Sequence, residues 1–200
     1  PLDAIAGTTQ MRIRTGYSFR TAAGMIDDCF AKVQGLGWPY APITDRASTF
    51  GWIRWNKLCK NANLKPIFGV ELAVTPSAHA KKPVFDYWTF LAIDDIAAVN
   101  QLVSMATSQF RYEPLLTYEQ AMAATGVIKI AGSRALLNEF APAEHLYIAL
   151  SPSASKGFVT QAQGMGHKFI ACSDNKFINE DDEGFYEVLC GRGASTQTYS

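Results

Sequence analysis

The chain has 200 residues, and 48% of them are hydrophobic, which is enough for one globular domain with a substantial core. Its 18 Lys and Arg residues balance its 18 Asp and Glu residues, which argues against a broad basic surface for the nucleic-acid backbone. We see no secretory signal pattern, no apolar run of membrane-spanning length and no CxxC spacing among the four cysteines. These features predict a cytoplasmic protein without a membrane contact.

Short apolar runs alternate with longer amphipathic runs along the chain. The predicted strands are, in chain order, 11–18 (with its following loop), 40–44, 67–74, 87–93, 127–131, 145–150 and 167–172. The predicted helices are 25–36, 50–63, one capped by Asp94 that ends at Thr107, one with a Thr117–Gln120 capping box, 134–140, 153–163 and a last one capped by Asn179. This alternation implies a mostly parallel sheet. Roughly seven units favour a closed barrel, with an open sheet as the alternative.

Charged and polar residues follow several of the predicted strands. In a barrel the loops after the strands share one face, so these side chains would converge there. The residues at these positions are Arg14, Asp45, Arg46, Glu71, Ser133, Asp174 and Lys176. Three carboxylates would suit a divalent cation, but the same face collects four cations once Arg12 is included. Because arginine forks pair well with carboxylates, a salt-bridge network is the simpler interpretation, and its role could be purely structural.

Four motifs in the correct order carry a family resemblance. They are Arg14-Thr-Gly-Tyr-Ser, Ile43-Thr-Asp-Arg with Phe50-Gly51, Leu64-Lys-Pro-Ile-Phe-Gly-Val-Glu71, and Cys172-Ser-Asp-Asn-Lys-Phe-Ile with Glu187-Val-Leu-Cys. With these motifs the chain resembles, from about Met11 to Gly191, the polymerase and histidinol phosphatase (PHP) domain of bacterial replicative DNA polymerase III alpha subunits. The resemblance implies an α/β fold, a distorted (β/α)7 barrel that holds a metal cluster in active members. We expect one domain over 1–200, with an N-terminal extension at 1–9 and a C-terminal tail at 192–200.

The family's metal ligands are largely replaced under this resemblance. The corresponding positions here are Arg12, Arg14, Asp45, Arg46, Glu71, Tyr87, Ser133, Asp174 and Lys176. The carboxylates persist, but every imidazole and thiolate is missing, and a guanidinium has no lone pair to give to a metal. The resemblance therefore implies a degenerate metal site with no cofactor and no catalytic residue.

Three functions are compatible with this pattern. The first is a catalytically inactive structural and protein-interaction module in DNA replication, either part of a longer polymerase or a stand-alone, phage-like relative. Its expected partners are replisome proteins such as a polymerase core or a proofreading exonuclease, with weak or indirect contact to DNA. The second is a metal-dependent phosphoesterase or 3′–5′ exonuclease that holds Mn, Mg or Zn through Asp45, Glu71 and Asp174. The third is anion binding, in which Arg12, Arg14 and Arg46 grip a phosphate.

Overall fold

The computed structural model describes residues 10–77, 84–110, 113–133, 135–151, 154–173, 176, 178–179 and 182–189. The strands are β1 (Tyr40–Ile43), β2 (Lys65–Thr75), β3 (Asp86–Ala92), β4 (Leu115–Thr117), β5 (Val127–Ala131), β6 (Leu146–Leu150) and β7 (Lys168–Ala171). The helices are α1 (Ile26–Gly35), α2 (Trp52–Ala62), α3 (Ile96–Ser108), α4 (Tyr118–Ala123), α5 (Lys156–Gly164) and α6 (Glu183–Leu189). The predicted extension at 1–9 and tail at 192–200 lie outside the described residues.

The long strand β2 organises the sheet. Along one edge it pairs in parallel first with β1 and, further on, with β4, while β3 runs antiparallel along its other edge. The sheet continues through β5, β6 and β7, so its order is β1-β2-β3-β5-β6-β7. Gly69 is required within β2, because a β-carbon there would lie 2.6 Å from the carbonyl oxygen of Phe90 on β3.

The sheet departs from the predicted barrel in two ways. It is an open, curled sheet in the described residues, so the α/β class is confirmed whereas a closed (β/α)7 barrel is not. In addition, β3 is antiparallel to both β2 and β5, although we expected parallel strands. This reversal places the first residues of β3 beside the carboxyl ends of β2 and β5, at the same end of the sheet as the predicted site.

The predicted first strand is also wrong in detail. Residues 11–14 form no regular strand, and Met11 lies in a bend. The backbone N–H of Thr44 donates to the carbonyl of Ile13 at 2.7 Å, and the N–H of Ile13 donates to Thr44 Oγ1 at 2.8 Å. In a β-ladder the Ile13 N–H would donate to a backbone carbonyl, but here it donates to the Thr44 hydroxyl. The segment is therefore held beside the end of β1 without forming a further strand of the sheet.

Most predicted helices are present, with corrections at their ends. The Thr117–Gln120 capping box is confirmed. Helix α3 is capped by Asp95 instead of Asp94, since the Asp95 side chain accepts from the Ala97 N–H at 2.9 Å. In the described part of the helix predicted at 134–140, which starts at residue 135, there is one 3-10 turn, Leu137–Glu139. The last helix begins at Glu183, four residues beyond Asn179.

The main core lies between the sheet and the helices. Trp55 and Trp88 are fully buried within it, and Trp55 Nε1 donates to the Ala41 carbonyl at 2.9 Å. Trp88 packs edge-on against Tyr118 and Phe140. Helices long and apolar enough to cross a membrane are absent from the described part of the chain.

Candidate functional site

The site is built around Glu71, a fully buried charged residue within β2. Beyond the end of β1 the chain continues alongside β2, where the Glu71 N–H donates to the Asp45 carbonyl and the Ala47 N–H donates to the Glu71 carbonyl. These two hydrogen bonds form an isolated parallel bridge that sets Arg46 directly beside Glu71. The backbone pairing of β2 with the segment that follows β1 therefore brings a cation and an anion together.

The Glu71 carboxylate is fully buried and is surrounded by guanidinium groups. Arg14 Nη2 lies 2.5 Å and Arg14 Nε lies 3.1 Å from Oε2. Arg46 Nη2 and Nε each lie 2.6 Å from Oε1, and Arg12 Nε lies 3.7 Å from Oε2. Each carboxylate oxygen therefore has arginine partners. The guanidiniums of Arg12 and Arg14 both lie beside Glu71 Oε2, so the two side chains lie on one side of their segment, as the alternation predicts.

Burial and charge act in opposite directions on Glu71. Burial alone would raise the pKa of this carboxyl, but the charges of Arg14, Arg46 and Arg12 and the Arg14 hydrogen bond outweigh it, so the pKa lies below its usual value. Glu71 is therefore ionised at neutral pH. We call these four residues the arginine–glutamate cluster, in which one carboxylate is shared among three guanidiniums.

Asp45 has a different set of partners. Its Oδ1 accepts hydrogen bonds from the Thr15 N–H at 2.6 Å and from Ser18 Oγ at 2.6 Å, and Thr15 Oγ1 lies 3.0 Å from Oδ2. Ser18 Oγ in turn accepts from the Arg46 N–H at 3.0 Å. Burial raises the pKa of Asp45, and these hydrogen bonds oppose the shift only in part. Asp45 thus anchors the loop at 15–18 to the end of β1.

Tyr87, at the start of β3, covers the Arg46 side of the cluster. Its ring lies 3.7 Å from the Arg46 guanidinium carbon, a cation–π contact, and its hydroxyl donates to Glu113 Oε1 at 2.7 Å. Burial, followed by the nearby Glu113 carboxylate, raises the pKa of Tyr87. Tyr87 reaches this end of the sheet only because β3 is antiparallel.

The remaining predicted positions contact other parts of the molecule. Ser133 follows β5, and its hydroxyl is 3.5 Å from that of Ser151. The Lys176 carbonyl accepts from the Ala23 N–H, and its ammonium lies 5.8 Å from the Tyr186 ring. Asp174 lies outside the described residues. The structure therefore brings Arg12, Arg14, Arg46, Glu71 and Tyr87 together, with Asp45 beside them.

A second buried carboxylate, Asp86, was missed by the sequence reasoning. It opens β3, and its Oδ2 accepts from Trp88 Nε1 at 2.8 Å and from the Gly132 N–H at 3.2 Å. Burial raises its pKa to about 6, although these hydrogen bonds and the charge of Arg12 act in the opposite direction. The available signal was an aspartate two residues before a tryptophan at the edge of an apolar strand.

The raised pKa of Asp86 predicts that the stability of the fold depends on pH. Its pKa is about 6 in the folded chain and 3.8 when unperturbed, so the folded state binds the proton more tightly and gains stability as pH falls through 6. We expect the free energy of unfolding, relative to the Asp86→Asn variant, to rise by roughly 1–3 kcal/mol between pH 7 and pH 4.5.

Urea denaturation of both proteins at several pH values measures this difference directly. The comparison cancels the contribution of His167, which is the same in both proteins. Burial lowers the pKa of His167, so its protonation at low pH would destabilise the fold. Parallel pH profiles for the two proteins would show that Asp86 does not titrate in this window.

The donor groups do not fit the metal cluster that the resemblance implies. Both Glu71 oxygens already accept from guanidiniums, and Asp45 accepts from Thr15 and Ser18. No group of three or more His, Cys, Asp or Glu side chains placed to hold a metal ion occurs among the residues that the structure describes. A metal would have to displace arginines from Glu71 to bind there.

Sequence comparison identifies the relatives of the chain. The chain matches the PHP domain family over residues 10–163. It is 21% identical to the DNA polymerase III subunit alpha of Aquifex aeolicus over 220 aligned positions that cover 90% of the chain and 19% of that relative. It is 34% identical over 76 residues to the same subunit of Saccharopolyspora erythraea, covering 38% of the chain and 6% of that relative. The chain spans less than a fifth of the length of these relatives.

Structure comparison finds the same architecture in solved proteins. A protein from Bifidobacterium adolescentis described as a metal-dependent phosphoesterase matches with a TM-score of 0.57 and 12% identity, over 95% of this chain and 99% of that one. An amidohydrolase from Chromobacterium violaceum with bound sulfate and no metal matches with a TM-score of 0.56 and 12% identity, over 90% of this chain and 96% of that one. At this identity the likeness concerns the fold.

Proposed function

The chain belongs to the PHP domain family, and on that premise we propose that it is a non-catalytic member that serves as a structural and protein-interaction module in DNA replication. The observation that carries this proposal is the state of Glu71. Its two oxygens accept from Arg14 and Arg46, with Arg12 close by, so its lone pairs are engaged by cations of the chain itself.

The chemistry of the substituted groups supports the same proposal. A guanidinium stays protonated in proteins and cannot coordinate a metal, whereas it pairs with a carboxylate in a fixed geometry. Arginines therefore supply the positive charge that metal ions would supply in active members of the family. The buried carboxylate keeps its partners, and the fold keeps its architecture without hydrolytic groups.

The relatives support the replication context. Those named above are DNA polymerase III alpha subunits, and this chain corresponds to a small part of their length. A domain of this kind has the rest of a polymerase subunit, or proteins bound to it, as its natural contacts. We propose a polymerase core or a proofreading exonuclease as the partner.

Metal content and hydrolysis test the catalytic half of the proposal. The chain is equilibrated with Mn²⁺, dialysed and analysed by mass spectrometry for bound metal, and then assayed on a phosphodiester and on a 3′-labelled oligonucleotide with and without EDTA. We expect substoichiometric metal and no EDTA-sensitive hydrolysis. Stoichiometric manganese together with EDTA-sensitive cleavage would instead establish the carboxylate-based phosphoesterase.

Co-elution tests the interaction half. Purified polymerase core and proofreading exonuclease from the same replisome are passed with the chain through a size-exclusion column, with an unrelated protein of similar size as the control. We expect the chain to shift to the elution volume of one of these partners. Unchanged elution with both partners would refute the proposed role as an interaction module.

A further inference from the structure

A groove lies between α6 and the segment that leads into α1. Its volume is about 440 Å³, and one wall comes from residues 22–28 while the other comes from Ile178, the turn after it and α6. The two walls are fixed to each other. The Ala23 N–H donates to the Lys176 carbonyl at 2.6 Å, and a β-carbon at Gly24 would lie 2.8 Å from Ile178 Cδ1. We call this concavity the α6 groove.

Helix α6 presents an apolar face that the described part of the chain leaves uncovered. Phe185 is 62% exposed and Val188 is 77% exposed, and no residue of α6 is buried. Phe185 also lines the groove together with Leu189, which lies one turn further along the same side of the helix. The helix has seven residues and includes Gly184, so its intrinsic stability is low. Packing of its apolar side chains against a partner would stabilise it.

The rim of the groove is negatively charged. Asp28 and Asp182 line it, and among the described residues no Lys or Arg does so. Glu183 and Glu187 add two exposed carboxylates on α6. Lys176, whose ammonium approaches an aromatic ring of α6, is not part of the lining. An apolar groove with an acidic rim complements a ligand that combines an apolar face with positive charge.

We propose that the α6 groove binds a basic amphipathic helix of a partner protein. In this complex the apolar face of that helix packs against Phe185 and Leu189, and its Lys or Arg side chains pair with Asp28 and Asp182. Amphipathic helices bind apolar grooves through anchors spaced three and four residues apart. The acidic rim disfavours nucleic acid and anionic membranes, and the pairing of two α6 grooves would bring like charges together. The inference rests on the proposed role as an interaction module and adds the surface and the chemistry of the partner.

Fluorescence anisotropy with a synthetic peptide tests the proposal. The probe is a labelled amphipathic helix of Leu and Lys, about 14 residues or roughly four turns long. We expect it to bind the parent chain and to bind less tightly as salt is added. The affinity should be about 5-fold or more weaker in Phe185→Ala, which removes an apolar anchor, and in Asp28→Lys, which reverses a rim charge. A peptide with Glu in place of Lys should bind far more weakly, as should one of the same composition whose leucines are scattered around the helix.

Two variants outside the groove provide matched controls. The side chains of Phe50 and Glu144 are 82% and 87% exposed, and both are absent from the lining. Phe50→Ala and Glu144→Lys should bind the peptide as the parent chain does. The proposal is overturned by a lack of binding, by equal binding of the Glu-containing peptide, by an equal loss in the control variants, or by self-association that Phe185→Ala abolishes in a chain that does not bind the peptide.

Co-elution with the replisome partners separates this inference from the proposed function. If the parent chain co-elutes with a partner and Phe185→Ala and Asp28→Lys do so equally well, the interaction role stands but the α6 groove is not its site. If the Leu–Lys peptide binds in the groove and neither partner co-elutes, the groove stands as a binding surface and the replication role fails.

Discussion

Replacing Glu71 with glutamine should lower the free energy of unfolding by about 3–5 kcal/mol. The substitution preserves the shape of the side chain but removes its charge, so Arg12, Arg14 and Arg46 remain in a largely buried site without their shared carboxylate. Urea denaturation at pH 7, followed by tryptophan fluorescence, measures the loss. Arg14→Met should cost less, because Glu71 would keep Arg46 as its partner.

Asp27 provides the matched control, since its carboxylate pairs with Arg54 on the surface, where both side chains are about half exposed. Asp27→Asn should change stability little, because solvent screens such a pair. If Glu71→Gln is too unstable to purify, the double variant Glu71→Gln/Arg14→Met should recover part of the loss. Equal, small effects of Glu71→Gln and Asp27→Asn would contradict the idea that Glu71 neutralises the three guanidiniums.

Replacing Asp45 with alanine should lower the free energy of unfolding by about 2–4 kcal/mol, because the Thr15 N–H and the hydroxyls of Thr15 and Ser18 lose their buried acceptor. The loop at 15–18 should also exchange its amide hydrogens faster, since these hydrogen bonds fix it to β1. Urea denaturation and hydrogen exchange followed by mass spectrometry measure the two effects.

Asp45→Asn separates hydrogen bonding from charge. The amide oxygen of asparagine can accept from the Thr15 N–H and from Ser18, and its NH₂ group can donate to the Thr15 hydroxyl. Burial already raises the pKa of Asp45, so removing its charge also removes a desolvation cost. We expect a much smaller loss than in Asp45→Ala. An equal loss in both variants would show that the negative charge itself is required, as a metal ligand would require it.

The sequence predicted the parts of the fold that depend on local pattern. The strand at 127–131 has the predicted bounds, and the Thr117–Gln120 capping box is present because a single turn determines it. Strand β4 was missed because three residues, Leu115–Thr117, are too few to show a period. The direction of β3 could not be predicted, because nothing in an apolar run encodes whether its neighbours run parallel to it.

The site was predictable only in part, for similar reasons. Alternation placed Arg12 and Arg14 on one face, and both contact Glu71. Lys176 was predicted to converge on the same face as these arginines. In the structure its carbonyl instead accepts from the Ala23 N–H, and its ammonium lies near the Tyr186 ring.

Anomalous diffraction from crystals soaked in Mn²⁺ tests the central claim most directly, since the claim is that arginines of the chain occupy the place of metal ions. We predict no manganese peak within coordination distance of Glu71 or Asp45, with the guanidiniums of Arg14 and Arg46 still in contact with the Glu71 oxygens. A manganese peak bound to Glu71, with Arg14 or Arg46 displaced, would contradict the account.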